Sequence, residues 1–322
     1  MRPFKNILVI RTDRLGEFLL TTPAFVAIKK AFPQARLVAA VDPYLRELAN
    51  RIDCLNEVIT FSNRKHSLGE ILHFASSLRK RRFDLCVIFN PSAELHLAAF
   101  LAGIPVRVGY RRKMGFLLNR TIEDRKYLEE KHEVEYNLDL LKPLAIAAAD
   151  TSLSLNVGRD AADIERKFSL DAGDNIVTIH PWTSDPLKQW PVRRFFQLAK
   201  SLSIYPGVRV VMVGRAEETL RSDELFLGHA KNAIDLCGKT SLVELAAILK
   251  RSRVLVSGDS GPVHLAASLG TKTIVLFRND IPGKRPKRWG PWGEGHTVIA
   301  KQDLADISVE EVFGKVKEVL SI

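Results

Sequence analysis

The chain has 322 residues, 46% hydrophobic and 26% charged, an ordinary balance for a globular protein long enough for two α/β domains. No apolar run reaches the roughly 20 residues of a membrane-spanning helix, and no signal-peptide core precedes the first apolar segment, so we expect a cytoplasmic protein. The formal net charge of +11 favours an anionic partner, a phosphorylated lipid or a membrane surface, whereas no motif supports nucleic-acid binding.

Short apolar segments alternate with helical segments along the first half of the chain. Strands are predicted at 7–10, 37–41, 57–61, 85–89 and 106–110, with helices at 17–31, 44–50, 68–80, 93–102 and 132–149. Apolar strands separated by helices are typical of a parallel sheet that helices cover on both faces. In the last of these helices, Glu133 and Glu135 are interpreted as a solvated face.

The first strand runs into RTDRLGE, residues 11–17. Gly16 permits a tight strand-to-helix turn, and Glu17 begins the helix near the positive end of its dipole. An ionised carboxylate there could act as a general base, although acidic residues at helix starts commonly only complement the dipole. Both interpretations remain open from the residues alone.

The alternation begins again after a polar passage at 150–163. Strands are predicted at 176–180, 208–213, 233–236, 254–256 and 273–277, with helices at 192–203, 217–228, 242–250, 262–269 and 309–320. We therefore predict two doubly wound domains, 1–160 and 161–322, that face a central cleft, with a final helix that could pack back on the first domain. Ligands of such sheets bind beyond the carboxyl ends of the strands.

The most informative segment is SGDSGPVHL, residues 257–265, where a buried strand turns into a helix. Gly261 and Pro262 suit the first helical turn, and the unpaired N–H groups there form a ready site for phosphate. Asp259 lies at the mouth of this turn, where a carboxylate can hold hydroxyl groups. The segment therefore predicts a bound sugar nucleotide. The three cysteines form no CxxC pair and the eight histidines show no metal-ligand spacing, so no metal site is predicted.

Four segments, taken together, resemble glycosyltransferase family 9, the heptosyltransferase family of lipopolysaccharide synthesis. They are spread along nearly the whole chain: ILVIRTDRLGEFLLTTPA, HPWTSDPLKQWPVRRF, LCGKTSLVELAAILKRSRVLVSGDSGPVHLAASLGTKTIVLF and RWGPWG. The resemblance implies a GT-B fold of two Rossmann-like domains, the acceptor on the first and the nucleotide sugar on the second. It also implies an inverting, metal-independent transferase without a cofactor, whose best-known donor is ADP-L-glycero-D-manno-heptose.

The resemblance also assigns roles to individual residues. Glu17 matches the position of the catalytic base, which is usually Asp in the family, and Asp13 is the fallback base. Lys188 would offset charge on the departing diphosphate. The other donor-binding residues would be Thr183, Ser184, Glu218 (or its neighbour Glu217), Thr240, Asp259, Ser260, Gly261 and His264.

Several of these positions have a plainer interpretation. Thr240 or Ser241 could simply cap the next helix, and His264 is more typical of a packed helix residue than of a ligand contact. The basic residues Arg111, Arg112 and Lys113 fit an anionic glycolipid acceptor and a peripheral contact at the cytoplasmic face of the inner membrane, or else an ordinary loop.

The sequence thus predicts a transferase that moves heptose from an ADP donor to a lipopolysaccharide-type acceptor. Three alternatives stay open: a transferase of the same family with another nucleotide sugar, a sugar-nucleotide epimerase of the GT-B kind, and a non-catalytic sugar-nucleotide-binding protein.

Overall fold

The computed structural model describes residues 4–158, 161–171, 173–216 and 232–322. The chain divides into two compact units, Met1–Leu155 and Asn156–Ile322, and each contains a six-stranded sheet. Every strand pair in both sheets is parallel. Among the described residues, no helix is both long and apolar enough to cross a membrane.

The sheet of the first unit has the strand order β3-β2-β1-β4-β5-β6. Its strands are β1 Asn6–Arg11, β2 Arg36–Val41, β3 Glu57–Thr60, β4 Leu85–Ile88, β5 Val106–Tyr110 and β6 Arg120–Ile122. Its helices are α1 Leu15–Leu19, α2 Thr22–Ala31, α3 Arg46–Ala49, α4 Leu68–Lys80, α5 Ala93–Leu101 and α6 Glu133–Asp139.

The sheet of the second unit has the corresponding order, β9-β8-β7-β10-β11-β12. Its strands are β7 Asn175–His180, β8 Val208–Met212, β9 Ala233–Asp235, β10 Val254–Gly258, β11 Lys272–Arg278 and β12 Thr297–Lys301. The described helices are α7 Ala161–Lys167, α8 Val192–Ser203, α9 Leu242–Arg251, α10 Gly261–Ser268, α11 Pro286–Trp289 and α12 Val309–Leu320.

The central strands form the two cores because they are apolar on both faces. Ile7–Ile10 of β1 and Val254–Val256 of β10 are completely buried, as expected for strands that helices cover on both sides. The final helix α12 packs against α8 and β11 of its own unit, with Val312 and Val316 fully buried in that core.

Two predicted helices differ from the observed ones. The helix predicted at 17–31 is two helices, α1 and α2, because Pro23 starts a new first turn. The helix predicted at 132–149 ends at Asp139; only a short 3₁₀ turn at Lys142–Leu144 follows, and Ala145 takes a left-handed φ of 55°. Strands β6 and β12 were not predicted, and the predicted helix 217–228 lies outside the described residues.

Candidate active site

The candidate base and most of the candidate diphosphate-binding residues follow central strands of the two sheets. The strand order reverses direction between β1 and β4 in the first unit and between β7 and β10 in the second. In open parallel sheets, ligands bind beyond the carboxyl ends of the strands at this switch point. Asp13 and Glu17 follow β1, the 181–191 loop follows β7, and Asp259 follows β10.

Two carboxylates lie close together in the first unit. Glu17 is half-buried in the first turn of α1, and Asp13 is half-buried just before that helix. Burial raises the pKa of Asp13 to about 6; the Arg11 guanidinium opposes this rise and the neighbouring Glu17 adds to it. At neutral pH a carboxylate with this pKa is ionised and is a stronger base than an ordinary Asp.

A network of buried charged side chains contacts Asp13. Arg11 is 2% exposed, and its Nε lies 2.7 Å from Oδ1 of Asp13. A guanidinium nitrogen of Arg11 donates to the Phe89 carbonyl over 3.2 Å, and another lies 3.6 Å from Glu133 Oε1. Lys126 Nζ reaches the same Glu133 oxygen at 2.5 Å. Sequence reasoning missed this network.

The interpretation of Glu133 as solvated is therefore wrong. Glu133 is 1% exposed because α6 turns it toward two buried cations, whereas Glu135 on the opposite side is exposed. Asn137 of the same helix donates to the Leu20 carbonyl over 3.1 Å and to Thr21 Oγ1 over 3.2 Å. Helix α6 thus fixes both Arg11 and the junction between α1 and α2.

Tyr44, also missed from the sequence, lies in the loop after β2, next to the loop that carries the two carboxylates. Arg11 and Val41 are register partners, so the loops after β1 and β2 are neighbours. Tyr44 is 51% exposed, and the partial burial of its phenol raises its pKa to about 12. A hydrogen bond with the Leu15 backbone opposes the rise, and the carboxylates of Asp42, Glu17 and Asp13 add to it. The phenol therefore stays neutral beside the start of α1.

The basic loop after β5 is exposed at the same edge of the first sheet. Arg111, Arg112 and Lys113 are all exposed, and Arg112 forms a 2.8 Å ion pair with Asp124. Phe116, which follows them, is 78% exposed. The loop thus presents positive charge next to a large apolar side chain.

In the second unit, a buried tryptophan anchors the loop after β7. Trp190 is fully buried, and its indole N–H donates to the Ile307 carbonyl over 3.0 Å. Gln189 crosses the loop and donates to the Pro181 carbonyl over 2.5 Å. Its side-chain oxygen accepts from the Thr183 backbone N–H at 3.1 Å, and Ser184 at the loop tip is exposed. These contacts hold the segment that carries Lys188.

Lys188 and Asp259 meet between the ends of β7 and β10. Their charged groups form an ion pair, with 20% of the Lys188 side chain and 9% of the Asp259 side chain exposed. The loop can approach this closely because residue 258 is glycine. A Cβ there would lie 3.0 Å from Thr183 Cγ2 and 3.1 Å from the Lys188 carbonyl oxygen.

Ser260 forms the N-cap of α10 without a side-chain capping bond, and Gly261 is the first helical residue. The Ser260 hydroxyl instead lies 2.9 Å from Ser257 Oγ and 3.3 Å from His180 Nδ1. Burial lowers the pKa of His180 to about 4, so this imidazole is neutral at physiological pH. His264, one turn into α10, is buried at 4% exposure.

The structure also decides which residue caps α9. Ser241 is the N-cap, and its Oγ accepts from the Glu244 N–H at 3.2 Å, while Glu244 accepts from the Ser241 N–H in return. Thr240 is half-buried and is not the cap. Glu217 and Glu218 lie outside the described residues.

Within the described ranges, no group of three or more His, Cys, Asp or Glu side chains could hold a metal ion.

A second ion pair, which was not predicted, joins Asp185 of the 181–191 loop to Lys284. It had no sequence signal, because Lys284 follows β11 in a segment that matches no motif.

Known proteins resemble this chain along most of its length. Residues 71–316 match the model of glycosyltransferase family 9 (heptosyltransferase). The chain is 26% identical over 349 residues to lipopolysaccharide heptosyltransferase 2 of Salmonella typhimurium, covering 98% of this chain and 99% of that protein.

Two solved structures are similar to the whole chain. The glycosyl transferase family 9 protein of Veillonella parvula has a TM-score of 0.87 at 21% identity, with 98% of this chain and 97% of that chain covered. The ADP-heptose lipopolysaccharide heptosyltransferase II of Escherichia coli has a TM-score of 0.85 at 24% identity, with 98% of both chains covered. These likenesses confirm the predicted fold class, an α/β protein of the GT-B type with two doubly wound sheets.

Proposed function

Because the chain belongs to glycosyltransferase family 9, we propose that this glycosyltransferase moves heptose from ADP-L-glycero-D-manno-heptose to a lipopolysaccharide-type glycolipid. The relative from Salmonella typhimurium and the structure from Escherichia coli are both named as lipopolysaccharide heptosyltransferases. The donor would bind the second unit and the acceptor the first.

The observation that carries the proposal is the Lys188–Asp259 ion pair beside the start of α10. The positive end of the α10 dipole and the ammonium of Lys188 suit a diphosphate, and Asp259 suits the hydroxyls of the attached sugar. Thr183 and Ser184, on the same loop, would add hydroxyl donors. Thr240, His264 and Glu218 stay predictions for the rest of the nucleotide sugar.

In the proposed reaction, Glu17 removes the proton from the acceptor hydroxyl as that oxygen attacks the anomeric carbon. The new oxygen–carbon bond forms on the face opposite the diphosphate, the carbon–oxygen bond to the β-phosphate breaks, and its electron pair leaves with ADP. The anomeric configuration is inverted. Lys188 and the Ser260–Gly261 turn stabilise the charge that develops on the diphosphate, without a metal ion.

The first test is calorimetric titration of the protein with ADP, UDP and GDP, each with and without magnesium. We expect selective, magnesium-independent binding of ADP. Selective binding of UDP or GDP would overturn the proposed donor, and no binding to any of them would overturn the catalytic account.

Replacing Glu17 tests the base. We expect Glu17→Ala to lower the transfer rate about 10³-fold, in the range of a lost general base, with ADP affinity unchanged. Glu17→Asp keeps the carboxylate and should retain more activity than Glu17→Ala. If Asp13→Asn abolishes transfer and Glu17→Ala does not, Asp13 is the base. An epimerase would instead convert the sugar nucleotide with no acceptor present.

The basic loop after β5 is proposed to contact the anionic acceptor at the cytoplasmic face of the inner membrane. Its exposed charges and the exposed ring of Phe116 support this role. Replacing Arg111, Arg112 and Lys113 together with serine should reduce sedimentation with anionic liposomes. Unchanged sedimentation would remove the membrane contact from the proposal.

A further inference from the structure

Lys284 places a second cation at the loop that carries Lys188. Its ammonium forms an ion pair with Asp185, and 39% of the Lys284 side chain and 26% of the Asp185 side chain are exposed. A solute can therefore reach both partners. Asp185 also accepts from the Leu187 N–H at 3.1 Å, which fixes the carboxylate at the start of the turn that ends with Lys188.

The strand order explains why Lys284 reaches this loop. Strands β7, β10 and β11 are consecutive neighbours in the second sheet. The loops that follow them carry Lys188, Asp259 and Lys284 respectively, so all three side chains project from one edge of the sheet. Strand β11 itself contacts the turn at Pro186–Lys188, and the Lys284–Asp185 ion pair joins the third loop to the first.

The charges of this cluster balance one another. Lys188 pairs with Asp259, and Lys284 pairs with Asp185, whose pKa is lowered first by Lys284 and also by Lys188. A diphosphate brings more negative charge than the ammonium of Lys188 alone can neutralise. A half-exposed lysine whose counter-ion is a carboxylate can exchange that carboxylate for a phosphate oxygen, since both are charge-assisted acceptors.

We propose that Lys284 is a second phosphate-binding residue of the donor site, which Asp185 holds beside Lys188 until the donor diphosphate takes its place. This inference rests on the proposed donor function of the second unit. It assigns to the loop after β11 a role in binding the diphosphate and in stabilising ADP as it leaves.

A purely structural role makes the opposite prediction for one variant. If the Lys284–Asp185 pair only fastened two loops together, breaking it from either side would weaken ligand binding equally. If Lys284 binds phosphate, removing the lysine weakens binding, whereas removing the charge of Asp185 releases the lysine and removes a repulsive carboxylate. Asp185→Asn keeps an oxygen that can accept from Leu187, so the turn itself is preserved.

The experiment is calorimetric titration of ADP, AMP and adenosine into the wild-type protein, Lys284→Met, Lys188→Met and Asp185→Asn. Lys287→Met is the matched control, because it removes the same charge from an exposed lysine of the same segment. We expect Lys284→Met to bind ADP about tenfold more weakly, AMP less affected and adenosine unchanged. Asp185→Asn should bind ADP at least as tightly as the wild type, and Lys287→Met should match the wild type.

Three results would overturn the inference. ADP affinity unchanged in Lys284→Met, while Lys188→Met loses it, would leave the proposed function standing without Lys284. Equally weakened ADP binding in Lys284→Met and Asp185→Asn would show that the ion pair only holds the two loops together. Absence of ADP binding to the wild-type protein would remove the donor function itself. If Lys284→Met does not fold, Lys284→Gln replaces it under the same criteria.

Discussion

The two units have the same strand order. They differ in how far the charged side chains of their candidate sites are exposed to solvent. In the first unit, Arg11 and Glu133 are almost fully buried, and Lys126 is nearly so. In the second unit, Lys188, Lys284 and Asp185 are partly exposed in simple pairs. The Arg11–Glu133–Lys126 cluster is closed to solvent, whereas Lys188, Lys284 and Asp185 can be reached by a solute.

This difference fits the tasks proposed for the two units. A general base must be held in one place. The buried network holds Asp13, and Asn137 of the helix that carries Glu133 bonds to the end of α1, the helix that carries Glu17. A donor site must gain a diphosphate and then release it, so its lysines need counter-ions that a ligand can replace. Identical topology therefore supports a fixed site in one unit and an exchangeable site in the other.

The largest effect should come from removing a charge in the closed network. Glu133→Gln leaves Lys126 and Arg11 with one less buried counter-charge, which should cost about 3–5 kcal/mol of unfolding free energy. Asp185→Asn, in the exposed pair, should cost at most about 1 kcal/mol. Urea denaturation of both variants measures the contrast. Glu135→Gln, at an exposed position on the same helix, is the matched control. Equal losses of unfolding free energy in Glu133→Gln and Asp185→Asn would contradict the contrast between the two units.

A second effect concerns a buried histidine in each unit. Burial lowers the pKa of His96 and of His180 to about 4, from an ordinary value of 6.5. Below pH 6.5 these histidines are protonated in the unfolded chain but stay neutral in the folded chain. The unfolding free energy therefore falls as the pH drops from about 6.5 to about 4. Each histidine should contribute up to about 3 kcal/mol to this loss.

Thermal melts between pH 4 and pH 7 of His96→Gln and His180→Gln separate the two contributions. Each variant should lose less stability on acidification than the wild type, even where its stability at pH 7 is lower. If either variant keeps the wild-type dependence of melting temperature on pH, that histidine is excluded as a cause of the acid destabilisation.

The smallest effect has the opposite sign and belongs to the first unit alone. Because the pKa of Asp13 is raised to about 6, the folded chain binds its proton more tightly than the unfolded chain does. Asp13 therefore contributes its full share to the unfolding free energy below about pH 4, and this contribution is lost as the pH rises through 6. Since about a quarter of the side chain is exposed, we expect a loss of about 2 kcal/mol.

In Asp13→Asn, unfolding free energy should not show this loss between pH 4 and pH 7. The measurement is urea denaturation at several pH values, with the wild type beside it. A variant that reproduces the wild-type pH dependence would assign the titration to a group other than Asp13.

Much of the fold could be predicted because its signals are local. Apolar runs separated by helices indicated parallel sheets, and the SGDSGPVHL segment indicated a strand, a turn and a helix start, as observed in β10 and α10. Strand β6 lacked such a signal: it is three residues long and only half-buried. The helix predicted at 132–149 was too long, because Pro143 and the left-handed Ala145 interrupt an otherwise helical pattern.

By itself the sequence determined the α/β class, the two sheets and the residue types at each turn, because hydrophobic periodicity, glycine and proline act over a few residues. Only the tertiary structure decided which charges meet. Arg11 reaches Asn137 across 126 positions of chain, and Lys284 reaches Asp185 across 99. Such pairs depend on strand order and on helix rotation against the sheet, which the packing of the whole unit determines and no local pattern encodes.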